Sequence, residues 1–119
     1  MKRVMIVTGG SRGIGAAIAR LGGLPGGSHY AATKGAIDSF SLALSNEVGA
    51  EGIRVNTIRP GLIETDMHEV HGGINPALAS AVPLGRSGQA DEVARVALWL
   101  ASEGASYVHG AVIDVSGGR

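Results

Sequence analysis

No cysteine occurs in the chain, which excludes disulfides and thiolate metal sites and leaves the compartment undecided. No apolar run approaches the ~20 residues that cross a bilayer. The stretch behind Lys2 and Arg3 is too short for the core of a signal peptide, so no membrane role is expected and the cytoplasm is the default location. Runs of one charge sign are also missing. Ten basic residues balance ten acidic ones, and neither a nucleic-acid face nor a polybasic patch is foreseen. Without repeats or low-complexity tracts, the expectation left is small-molecule chemistry.

What is present is a globular composition: 45% hydrophobic and 17% charged residues over 119 positions. That length allows one domain, 1–119, with one modest core, and is short for a sheet covered on both faces. Glycine is abundant, 20 residues, and gathers in pairs at the ends of elements, where turns or close backbone approach need it.

The hydrophobic pattern gives a coarse map. "RVMIVT" (3–8) reads as a buried parallel strand, followed by a helix from about Gly13 to Leu21 that Gly22, Gly23 and Pro25 stop. Ser28 can cap the next helix, whose expected apolar stripe is Tyr30, Ala31, Ile37, Phe40, Leu44 and Val48 before Gly49 and Gly52 end it. "IRVNTI" (53–58) is the expected second strand. From Pro60-Gly61 to Arg86 a mobile, lid-like loop with one short helix is expected. A helix over 90–102, with Asp91 and Glu92 at its positive end, and a strand over 111–115 complete the map. Alternating strands and helices predict an α/β layer structure with a parallel sheet.

Chemistry is concentrated in two places. "TGGSRGIG" (8–15) joins a strand to a helix through glycines spaced G-x-x-x-G-x-G, which frees backbone N–H groups and aims a helix start at a pyrophosphate. Arg12 inside it can neutralise a further phosphate, favouring NADP over NAD. The acidic residue that would select NAD about 20 positions on is absent, and Gly35 lies there. "YAATK" sets Tyr30 and Lys34 one turn apart on one helix face. A phenol with a pKa near ~10 needs a neighbouring cation to exchange protons at neutral pH, and a lysine supplies it. The same ammonium can hold ribose hydroxyls.

Together these stretches resemble the short-chain dehydrogenase/reductase family. "TGGSRGIG" is similar to its cofactor loop, "YAATKGAIDSFSLALSNEV" to its catalytic helix, and "GIRVNTIRPGLIETDM" to its next strand and nicotinamide-side loop. "PLGRSGQADEVARVALWLAS" and "SYVHGAVIDVSGG" resemble its C-terminal helix and last strand. The resemblance implies a Rossmann-like fold and hydride transfer between a nicotinamide cofactor and a small-molecule carbonyl or secondary alcohol. Tyr30 is then the general acid/base and Lys34 its electrostatic partner and ribose ligand. Gly9, Ser11, Arg12, Gly13, Ile14 and Gly15 would meet the adenosine and phosphate side of the cofactor. Pro60, Gly61, Ile63 and Thr65 would hold the nicotinamide end, Ile63 through its backbone and Thr65 through its hydroxyl. Asn56 is expected to fix local backbone, and homo-oligomers, dimer or tetramer, are implied.

The chain departs from the family at "LGGLPGG" (21–27), where several βα units normally intervene. The family's catalytic serine would lie thirteen residues before Tyr30, where Ala17 stands, and Ser28 matches no motif. Its loss would remove a transition-state hydrogen bond of about 3 kcal/mol. Two strands are missing between the first strand and that at 53–58, a gap near ~14 Å at the usual spacing. Three explanations stand: two pieces of a longer protein joined across an unobserved segment with a junction near 21–28, a genuine deletion leaving a noncatalytic remnant that offers cofactor-binding or assembly surface, or a minimised chain that re-forms a small sheet. "ETDMHEVH" (64–71) lacks the spacing of a metal site and is expected to be a solvated loop, so no metal is foreseen. His29 is expected to be exposed and Trp99 to pack or contact a subunit.

Overall fold

In the computed structural model the described residues are 28–65 and 72–118, with Tyr30 represented by its backbone. The expected strand over 3–8, the phosphate-loop helix and most of the junction near 21–28 lie outside them, as do 66–71.

Helix α1, Ser28–Val48, runs unbroken for 21 residues and tightens into a 3-10 turn, Gly49–Glu51. Gly52 closes the turn at φ +76°, a left-handed conformation that favours glycine. The expected apolar stripe is corrected in one respect: Phe40 is 65% exposed, while Ile37, Leu44 and Val48 are half-buried. The inward face is turned toward Lys34, Asp38, Ser41 and Ser45, because the helix is fastened to the sheet by a polar anchor at Asp38. Buried Ser45 stays satisfied by donating its hydroxyl to the Leu42 carbonyl at 2.7 Å.

Strand β1 occupies Thr57–Pro60, so the strand expected over 53–58 is shifted toward the C-terminus. The reason lies in contacts across the chain. Residues 54–56 bond to the 108–111 segment and to the helix end before it largely through side chains: Arg54 donates to the carbonyls of Val108 (3.2 Å) and Leu100 (2.6 Å). Asn56 donates to Val108 O at 2.9 Å and accepts from the Ala111 N–H at 3.0 Å, which makes it a backbone clamp. After the expected 61–86 loop opens with strand β2, Ile63–Glu64, a short helix α2, Pro76–Ser80, starts on Asn75, whose Oδ1 accepts from Ala77 N–H at 2.9 Å. Its last part is tied down, with Val82 and Ser87 buried and the Leu84 N–H on Gly117 O at 3.1 Å.

Two-residue strand β3, Gly88–Gln89, pairs parallel with β2 and leads into α3, Ala90–Ala101. Glu92 caps that helix by accepting the Gln89 N–H at 2.8 Å. Strand β4, Val112–Val115, lies parallel to β1, from Thr57 opposite Val112 to Pro60 opposite Val115. The observed architecture is thus α/β with parallel ladders, and its described core is Leu62, Ile63, Val82, Leu100 and Ala105. No helix among the described residues is long and apolar enough to cross a membrane.

Candidate active site

Open parallel sheets bind ligands beyond the carboxyl ends of their strands. Here β1 and β4 end side by side, and the Gly61 N–H extends the ladder to Val115 O at 2.9 Å. A Cβ on Gly61 would stand 2.7 Å from the Cα of Ser116, so only glycine lets the two strand exits touch backbone to backbone.

The helix is placed over this end by fastenings at two levels. Near the start of β1, His109 accepts the Val55 N–H at Nδ1 (3.2 Å), which leaves Nε2 protonated and donating to the Ser45 carbonyl of α1 at 2.9 Å. Near the end of β1, the Arg59 guanidinium grips Asp38 through Nη2 at 2.6 Å and Nε at 3.1 Å, with Asp114 4.0 Å away. The hydrogen bond to Asp38 raises the Arg59 pKa, against a smaller opposing cost of burial. Helix α1 therefore runs antiparallel to β1. Lys34, half-buried and on the same face one turn (~6 Å) before Asp38, is carried past the end of the strand, toward Pro60 and Gly61. Tyr30 lies a further turn along, in the first turn of the helix.

The loop that leaves β1 is held on the other side. Leu62 and Ile63 are buried, Thr65 is half-buried, and Ile63 pairs with Gly88. The sequence assigns Glu64 only to a solvated loop and gives no role to Ser87, Gln89 or His109, the residues that fasten these pieces. The Q-x-x-E spacing of Gln89 and Glu92 is the sequence signal of the α3 cap, whereas the acidic pair Asp91 and Glu92 points only to the helix dipole. The structure thus brings Lys34 and the backbone position of Tyr30 to the same end of the sheet as Pro60, Gly61, Ile63 and Thr65. Gly9, Ser11, Arg12, Gly13, Ile14 and Gly15 lie outside the described residues, as does Ala17. The donor chemistry at this end, a half-buried lysine ammonium on the helix above a strand exit, suits the hydroxyls of a nicotinamide riboside.

The family model described as enoyl-(acyl carrier protein) reductase matches residues 2–119. The chain belongs to the short-chain dehydrogenase/reductase family. Among members of the family it is similar to the uncharacterized oxidoreductase YgfF of Escherichia coli (strain K12), 46% identical over 125 residues, covering all of this chain and 51% of that protein. It is also 49% identical over 102 residues to the 3-oxoacyl-[acyl-carrier-protein] reductase FabG of Chlamydia trachomatis, covering 85% of this chain and 41% of that one. A 3-oxoacyl-[acyl-carrier protein] reductase from Brucella melitensis, solved with bound NAD, superposes with a TM-score of 0.65 at 47% identity, over 76% of this chain and 32% of that one. A blue fluorescent protein from a metagenomic library, solved with NADPH, gives a TM-score of 0.69 at 35% identity, over 75% and 36% of the two chains. The chain spans about half the length, or less, of these relatives. Their likeness makes the fold that of the family's Rossmann-type sheet.

Proposed function

We propose that the chain carries the nicotinamide side of an NAD(P)-dependent oxidoreductase site that interconverts a carbonyl and a secondary alcohol. The observation that supports this most is the antiparallel course of α1 over β1, fixed at Ser45 by His109 and at Asp38 by Arg59, which directs the Lys34 end of the helix toward the Pro60–Gly61 exit. A bound nicotinamide supplies or accepts the hydride. Tyr30 gives its hydroxyl proton to the carbonyl oxygen as the alcohol forms and takes one back in the reverse direction. The Lys34 ammonium stabilises the phenolate left behind and holds ribose hydroxyls. Pro60 and Gly61 wall the nicotinamide end, Ile63 offers its backbone and Thr65 its hydroxyl. Gly9, Ser11, Arg12, Gly13, Ile14 and Gly15 take the adenosine and phosphates, and the Arg12 charge favours NADP over NAD.

Relatives named as 3-oxoacyl-[acyl-carrier-protein] reductases make a 3-oxoacyl thioester the first substrate class to try. The same reading takes the protein to be cytoplasmic and a homodimer or homotetramer, and the exposure of Phe40 and Leu42 on α1 and of Leu98 and Trp99 on α3 supports self-association. The test is turnover of acetoacetyl-coenzyme A with NADPH: Tyr30→Phe should abolish it, and retained turnover would remove Tyr30 from the acid/base role. Direct titration should show NADPH binding more tightly than NADH, with Arg12→Gln erasing the difference.

A second reading is favoured by one observation: Ala17 stands where the family places its catalytic serine. On that reading the chain binds cofactor or assembles with other subunits without turnover. Wild-type chain that binds NADPH yet turns over no carbonyl, at an intact mass matching 119 residues, would decide for it.

A further inference from the structure

The loop that would meet the nicotinamide hangs on very little backbone. Beyond β1, its regular pairing is the ladder of Ile63–Glu64 with Gly88–Gln89, and two residues per strand are too few to hold a register unaided. Side chains make up the difference. The Glu64 carboxylate accepts the hydroxyl of Ser87 at Oε1 and the Gln89 side-chain amide at Oε2 (2.7 Å), so its two oxygens bond the residues on either side of Gly88. Ser87 is itself buried, which gives the first bond a low-dielectric setting.

Gln89 is fastened in its turn. Gln89 opens α3, and its backbone N–H is held by Glu92, whose carboxylate is gripped by Arg86 at 2.7 and 2.9 Å. Since side chains alternate along a strand, Glu64 faces this clamp while Ile63 and Thr65 share the opposite side. Ile63 then packs where Gly88 has no side chain: a Cβ there would sit 2.7 Å from Ile63 Cδ1.

We infer that Glu64 is a positioning residue for the cofactor's nicotinamide end, acting by locking the 62–65 backbone onto Ser87 and Gln89. This rests on the cofactor reading above, since Glu64 needs no contact with the ligand to act. A slip of β2 by one residue would exchange the faces of Ile63, Glu64 and Thr65 together, so the clamp decides which groups the loop presents.

The experiment pairs binding with amide exchange in the full chain. Glu64→Gln should weaken NADPH about tenfold while changing 2′-phospho-ADP-ribose, which lacks the nicotinamide, by less than twofold. Amide exchange should accelerate over 62–65 and 87–89 and stay unchanged in α1. The exchanged pair Glu64→Gln with Gln89→Glu restores a donor facing an acceptor and should recover both readouts. Equal weakening of the two ligands, unchanged exchange at 62–65, or no recovery in the double variant would overturn the proposal. If wild type binds neither ligand, the cofactor reading fails, and the exchange pattern alone then decides whether Glu64 holds the loop.

Discussion

Gly61→Ala tests whether the two strand exits are as close as the site requires. The added Cβ would stand 2.7 Å from both Cα and Cβ of Ser116 and 3.0 Å from its carbonyl oxygen. Carbon pairs prefer about 3.5–4.0 Å, so the exits must part by roughly 1 Å. The obstacle is backbone, which cannot rotate aside, and the Gly61 N–H bond to Val115 O at 2.9 Å lies in the path of the shift. Overpacking of about 1–3 kcal/mol, together with weakening of a bond worth about 1 kcal/mol, sets an expected loss of about 2–3 kcal/mol. For a chain of this size that lowers Tm by roughly 10 °C. Gly35→Ala is the control: nothing lies within 4 Å of a Cβ there, and the residue is inside α1, so a gain of about 0.5–1 kcal/mol is expected. Both are read from thermal and urea unfolding followed by circular dichroism. A Gly61→Ala loss under 0.5 kcal/mol, or one matched by Gly35→Ala, would refute the close approach of the two strand exits.

The Asp38–Arg59 pair, part-exposed on both sides, should show a coupling of about 0.5–1 kcal/mol in a double-mutant cycle of Asp38→Asn and Arg59→Gln, and an uncoupled cycle would detach α1 from β1. Thr57 Oγ1 is buried without a hydrogen-bond partner among the described residues, so Thr57→Val should stabilise by about 1 kcal/mol in urea unfolding, and destabilisation would show that the hydroxyl is bonded. Hydrogen bonds from Arg86 and then the Gln89 N–H hold the Glu92 carboxyl down to about 2 from an ordinary 4.5. A carboxyl depressed in the folded state gives stability that is present above the unfolded value and lost as pH falls through the folded one. Tm should therefore decline between about pH 4.5 and 2, and Glu92→Gln should flatten that decline; an unchanged slope would place the acid sensitivity elsewhere.

What could be read in advance follows from where the signals reside. Helix α3 was legible because its apolar residues recur with the helical period and its acidic start suits the dipole, both properties of a single segment. The Tyr30–Lys34 spacing was legible for the same reason. Strand β1 was placed too early because β-branched composition cannot reveal that Arg54 and Asn56 spend their polar groups on the 108–111 segment more than fifty residues away. The exposure of Phe40 was hidden likewise: a helix's inward face is set by what fastens it, and here that is an ion pair to Arg59 rather than the broadest apolar stripe. Ladders of two residues, such as Ile63–Glu64 with Gly88–Gln89, carry no period at all. The site combines both kinds of signal. The groups proposed to do chemistry sit in local motifs, whereas the groups that fasten the elements together, Asp38, Glu64, Ser87, Gln89 and His109, act across the chain and become visible only once the elements are in contact.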